Sequence, residues 1–164
     1  MKVGAVNTQL FTTPHASSSL DPEPALLELI ADAKSTIELG IYSITLPAVA
    51  AALIAAHGRG VTITVAADAT EATEPSSQIP AIANAGISVH LWGSEFHLAH
   101  FKVIVVDGKA AAFGSYNYSS EAELDDYEIL AVFTGVEVTR GGMAAALSQL
   151  ISSCYAAGTA YPPS

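Results

Sequence analysis

Cysteine is nearly absent from this chain: Cys154 stands alone among 164 residues. One thiol cannot close an internal disulfide, and it excludes a multi-thiolate metal site within a single chain. Basic residues are scarce too, six Lys and Arg against sixteen Asp and Glu, for a net charge of −10 with neutral histidines. Proteins that grip long nucleic acid usually present a basic stripe, and none is visible here. Any polyanion must then be held locally, by a few cations, against an unfavourable overall field. No uninterrupted apolar run reaches the roughly 18 residues of a membrane span, so stable membrane insertion is not expected. Met1 to Asn7 lacks the longer apolar core of a secretory signal. The compartment is unknown, cytoplasmic if the chain is complete.

What is present is apolar: 51% hydrophobic against 13% charged residues, the balance of a globular chain. The length suits one domain, residues 1–160, with a loose tail over 161–164. Val3 to Leu10 reads as a first strand, followed by a Thr-, Ser- and Pro-rich loop. Asp21 is a candidate N-cap with Pro22 and Glu23 favourable behind it, and Leu26, Leu29, Ile30 and Ala33 recur at helical spacing. A strand over Ile37–Ile41 runs into Tyr42-Ser43. Thr45 is placed to cap a helix from Leu46 to His57, ended by Gly58. A strand from Val61 stops near Asp68, and a short helix precedes Gly86 and a strand over Ile87–Leu91. Phe101–Val106 is apolar on both faces, as in a covered central strand. Asp107-Gly108 is a hairpin signal, with Ala110–Phe113 pairing back and Tyr127–Phe133 following. The last helix, Met143–Tyr155, carries Leu147, Leu150, Ile151 and Cys154 on one stripe. Helices alternating with strands early and consecutive strands late predict an α/β fold, a mixed central β-sheet with helices on both faces.

Residues 100 to 117 carry the chemistry. His100 and Lys102 lie two apart at the mouth of an apolar strand, hence on one side of it. An imidazole beside a fixed ammonium suits an anion, and a turn with Ser115 and Asn117 adds neutral hydrogen-bonding groups. The set reads as a phosphoryl-transfer site. Lys102 is the most telling residue, because an unpaired ammonium in an apolar strand is costly; a purely structural lysine needs a carboxylate partner.

At these residues the chain resembles the phospholipase D superfamily, whose signature is His-x-Lys-x4-Asp followed, six residues on, by Gly-Ser-x-Asn. His100, Lys102, Asp107, Gly114, Ser115 and Asn117 match every fixed position and spacing. One copy of the motif makes the chain similar to the family's small single-motif endonucleases, in which two identical chains assemble one site. The resemblance implies a phospholipase D-like catalytic domain over 1–160, with His100 as nucleophile and a second copy's His100 as general acid. Lys102 and Asn117 would hold the non-bridging oxygens, with Ser115 adding a hydrogen bond. Glu128, at the position of the family's acid, would accept a proton from the other ring nitrogen of His100. Asp107 and Gly114 are given structural roles. No cofactor and no metal are implied. Where the family commonly has Asn two residues before that acid, this chain has Asp126, which with Asp125 places negative charge near a phosphate site.

Other candidates have plainer readings. His97 falls on the opposite strand face from His100, so the pair does not read as a metal site. His15, His57 and His90 lack partners in the pattern. Tyr116, Tyr118 and Trp92 suit core packing or stacking on a base or lipid. The run Glu121–Asp126 reads as a solvated loop. The leading expectation is a homodimeric phosphodiesterase cleaving nucleic acid, DNA first, through a phosphohistidine. A phospholipid phosphodiesterase and a non-catalytic binding module of the same fold are the alternatives.

Overall fold

Asp21 caps the first helix as its position indicates: the carboxylate accepts the Glu23 N–H at 3.1 Å, and Pro22 occupies the first turn, where no N–H is required. This helix, α1 (Pro22–Ala31), belongs to a computed structural model that describes residues 7–14, 17–135, 138 and 142–162. It is preceded by β1 (Asn7–Thr13). After it come β2 (Thr36–Ile41), α2 (Pro47–Gly58), β3 (Thr62–Asp68), α3 (Ile79–Asn84), β4 (Ser88–Ser94) and β5 (His97–Leu98). Then follow β6 (Lys102–Val106), β7 (Ala110–Gly114), α4 (Ser120–Leu124), β8 (Glu128–Thr134), α5 (Met143–Ala157) and β9 (Thr159–Ala160).

The strands make one nine-stranded mixed sheet, ordered β1-β8-β7-β6-β2-β3-β4-β5, with β9 against β4. β2, β3 and β4 are parallel, and α2 and α3 make the crossovers. β6 runs antiparallel to β2 and begins a meander through β7 and β8 to β1. All five residues of β6 are buried, and they alternate. Ile104 and Val106 join the core beneath α1, α2 and α3, while Val103 and Val105 join the core beneath α5. Helices therefore cover both faces, as the sequence pattern predicts.

The topology also fixes where chemistry can sit. Because β6 opposes β2, its start lies at the end of the sheet where the parallel strands β2 and β3 finish. The meander returns the end of β7 and the start of β8 to the same place. In open α/β sheets that rim is the usual ligand site.

Several elements depart from expectation. Thr45 does not cap α2 with its side chain; Leu46 holds the N-cap position, and the Thr45 hydroxyl accepts the Ser120 N–H at 3.4 Å instead. Helix α2 runs through Gly58 to a cap at Arg59. The acidic run is the helix α4, capped by Ser119 through its bond from Ala122 N at 3.3 Å. Within it Glu123 accepts a 2.5 Å bond from the buried Tyr116 hydroxyl, so this carboxylate is not merely solvated. Leu150 is 47% exposed and lies off the buried stripe of α5. Tyr161 donates its N–H to Val89 O at 2.9 Å and packs on the core. Residues 3–6 of the expected first strand, His15, and residues 163–164 lie outside the described residues.

Candidate active site

Phe101 sets the geometry at the start of β6. Its ring lies over Gly40 of β2, where a Cβ would collide with it, so Phe101 turns toward the α5 face. His100 and Lys102, one residue to either side, therefore share the opposite face. Lys102 is 4% exposed, and its Nζ lies 3.1 Å from His100 Nε2 and 3.0 Å from His100 O. An ammonium only donates, so Nε2 is the acceptor and carries the lone pair. Burial lowers the Lys102 pKa, while the carboxylates of Glu128 and Glu71 pull it back up.

The second half of the motif reaches the same place by a change of register. Ser115 N and Tyr116 N both donate to Ile129 O, at 3.1 and 3.2 Å, after β7 and β8 have paired through Gly114 and Leu130. Gly114 is required there: a Cβ would run into the Ile129 carbonyl. Tyr116 is thereby sent into the core, and Asn117 faces the rim. Tyr118, also fully buried, ties the loop to β2's exit through bonds from Thr45 N and Leu46 N to its carbonyl, at 2.8 and 3.0 Å.

His100, Lys102, Gly114, Ser115, Asn117 and Glu128 line one open cavity of about 440 Å³. Five side chains and a glycine singled out from sequence are thus brought together. Ser115 Oγ accepts the Ile129 N–H at 3.2 Å, leaving its own proton to donate. Asn117 Oδ1 is buried with no hydrogen-bond partner among the described residues. The Glu128 bond to His100 is not made among the described residues. Glu128 opens β8 and Lys102 opens β6, on either side of β7 and about 10 Å apart across two strand spacings.

Asp107 lies at the other end of β6. It accepts N–H bonds from Lys34, Ser35 and Thr36 at 2.8–2.9 Å and the Ser35 hydroxyl at 2.8 Å. Burial alone would raise its pKa, but these donors outweigh it and hold the carboxyl at about 2. With Asp107 and Gly108 both at positive φ, this is the tight hairpin the sequence signals.

The remaining candidates fall elsewhere. His97 sits on β5, with Trp92, against a separate cavity. His90 bonds Tyr155 O at 2.7 Å and stacks on that ring, and His57 lies 3.4 Å from Val61 O. Asp125 and Asp126 are exposed and do not line the His100 cavity. Among the described residues no cluster of three His, Cys, Asp or Glu side chains is arranged for a metal ion, and no helix is long and apolar enough to cross a membrane.

Three neighbours escaped the sequence reading. The Tyr42 ring lies 4.6 Å from that of His100, with Lys102 Nζ 4.8 Å from its centroid. Asp68, fully buried at the end of β3, accepts Ala99 N at 2.8 Å, Thr70 N at 2.9 Å and Glu71 N at 3.2 Å. Glu71 interacts with the Tyr42 hydroxyl, whose pKa is raised first by burial and then by that carboxylate. The available signal was positional: Tyr42 and Asp68 sit where parallel strands end.

Residues 26–144 match the family described as "Cardiolipin synthase, PLD-like domain". A mitochondrial cardiolipin hydrolase of Danio rerio is 34% identical over 116 residues, covering 70% of this chain and 51% of that protein. The chain spans about half the length of the cardiolipin hydrolases it matches in Danio rerio, Xenopus tropicalis and Mus musculus. Nuc from Salmonella typhimurium, a phospholipase D family member, is similar at a TM-score of 0.83 and 29% identity, over 98% of this chain and 100% of its own. NucT from Helicobacter pylori shares the fold at a TM-score of 0.81 and 22% identity, over 96% and 100%. With the family match extending from α1 into α5, and Nuc superposing over nearly every residue, this chain belongs to the phospholipase D superfamily.

Proposed function

We propose that residues 1–160 form a single catalytic domain, a metal-independent phosphodiesterase that acts as a homodimer on nucleic acid, DNA first. The observation that supports this best is the shared cavity: a nucleophile-competent imidazole, a buried ammonium, an amide and a hydroxyl converge on a space of about 440 Å³. His100 Nε2 attacks phosphorus, forming a P–N bond as the P–O ester bond breaks. A second copy's His100, protonated, gives its proton to the leaving oxygen. Water then attacks phosphorus, yields a proton to that same imidazole, and the P–N bond breaks. Lys102, Asn117 and Ser115 stabilise the charge on the non-bridging oxygens. Glu128, which does not reach its own chain's imidazole, remains available to orient the second copy's ring. Asp107 and Gly114 keep the structural parts given by their bonds and packing.

The test is cleavage of single-stranded DNA by the purified protein in excess chelator. Wild type should cleave, His100→Ala should not, and activity should drop steeply with salt as phosphate neutralisation is screened. Retention of full activity by His100→Ala overturns the mechanism. A second reading, lipid phosphodiesterase, is favoured by the scarcity of cations and by Phe96 and Leu98, 85% and 45% exposed just before His100. Salt-insensitive hydrolysis of phosphatidylcholine vesicles, with intact DNA, selects it.

A further inference from the structure

We propose that Tyr42 is a positioning residue: its ring is the platform that holds the Lys102 ammonium and the His100 imidazole against each other, and Asp68 is the anchor that fixes this arrangement. The inference rests on the phosphodiesterase reading above. Lys102 donates to His100 Nε2, the very lone pair that must attack phosphorus. The ammonium therefore has to leave that nitrogen and take up a phosphoryl oxygen as the substrate arrives. It starts 4.8 Å from the Tyr42 centroid, within the range of cation–π attraction. A cation held by a ring face, which has no direction-specific partner to break, can exchange one donor while keeping its place. The same ring contacts the imidazole at 4.6 Å, tilted by 58°, and limits its rotation.

Asp68 ties this platform to the segment that carries His100 into β6. One carboxylate oxygen holds Ala99 N, next to the nucleophile, and the other holds the N–H groups of Thr70 and Glu71. The Glu71 carboxylate also acts on the Tyr42 hydroxyl, raising its pKa after burial does. The end of β3 and the segment leading into β6 are thereby tied together beside the Tyr42 ring. The charged and titratable groups around Lys102 are His100 two residues before it, Glu128 from β8, Glu71 from the loop after β3, and Tyr42 after β2.

The test uses bis(p-nitrophenyl) phosphate, a diester with neither base nor lipid to bind, together with nitrogen-15 NMR of the histidine rings. Tyr42→Phe keeps the platform and should stay within about threefold of wild-type kcat. Tyr42→Leu should lose roughly 10- to 100-fold in kcat, with KM changed far less, as expected when positioning is lost. The alkaline limb of its pH profile should shift because the ammonium has lost its ring. In the spectra, wild type and Tyr42→Phe should show His100 protonated at Nδ1, and folded Tyr42→Leu a mixture of tautomers. Wild-type kcat, pH profile and tautomer in Tyr42→Leu would overturn the proposal while leaving His100 chemistry standing. An active His100→Ala protein would instead sink the His100 mechanism proposed above, and the NMR comparison would still decide the platform.

Discussion

Asp107 shows how much one residue of a catalytic signature can do without touching the chemistry. Its four accepted bonds lie at the far end of β6 from His100 and staple the β6–β7 turn to residues 34–36 at the entry to β2. A carboxyl held at about 2 rather than its ordinary 3.8 favours the folded state whenever it is ionised. That contribution is complete above the unfolded value and disappears as pH falls from about 4 to about 2. Asp107→Asn tolerates the same positive φ but turns an amide nitrogen toward N–H donors. Allowing for solvent screening, the loss should be on the order of 1 kcal/mol near neutrality, or about 2–4 °C in Tm. Thermal melts of both proteins should differ at pH 7 and converge toward pH 2.5; a constant difference would show that charge is not the cause. The motif residues were legible because their spacing is local. Tyr42, Asp68 and Glu71 were not, since the bond from Asp68 to Ala99 spans 31 residues and only the folded sheet brings them together.

Elements carried by period or by a strong turn were readable, while those made by context were not. The cap at Asp21 and the hairpin at Asp107-Gly108 state their geometry in their own side chains. Helix α4 does not: five residues including two glutamates are weakly helical alone, and the cap at Ser119 with the Tyr116–Glu123 bond supplies what propensity lacks. The two-residue β5 exists only because β4 continues to Ser94 and folds back on itself. The close approach of β7 and β8 is the element-scale feature most open to test. Gly114→Ala would force its methyl onto the Ile129 backbone, which no rotamer can relieve. Separating the strands should cost about 1–3 kcal/mol. It should also lower activity at temperatures where the variant remains folded, because Ser115 and Asn117 just after β7 and Glu128 at the start of β8 would shift apart. An unchanged melt and unchanged rate would mean the strands yield without consequence.

At the scale of the whole molecule, the described residues of one chain bring one imidazole to the cavity, whereas in-line displacement needs a nucleophile and an acid on opposite sides of phosphorus. A two-fold pair supplies both from the same residue, and it also doubles the few cations that an acidic chain can bring to an anion. This makes a quantitative prediction that does not depend on which diester is the substrate. When wild-type and His100→Ala chains are unfolded together and refolded in equal amounts, random pairing leaves roughly a quarter of the dimers with both imidazoles. Activity per total protein should then be about a quarter of wild type and should follow the square of the wild-type fraction. A linear dependence, with half the activity left, would mean that each chain turns over alone and that its acid lies elsewhere in the same chain. Exchange of subunits, read by native mass spectrometry on tagged chains, makes either result decisive.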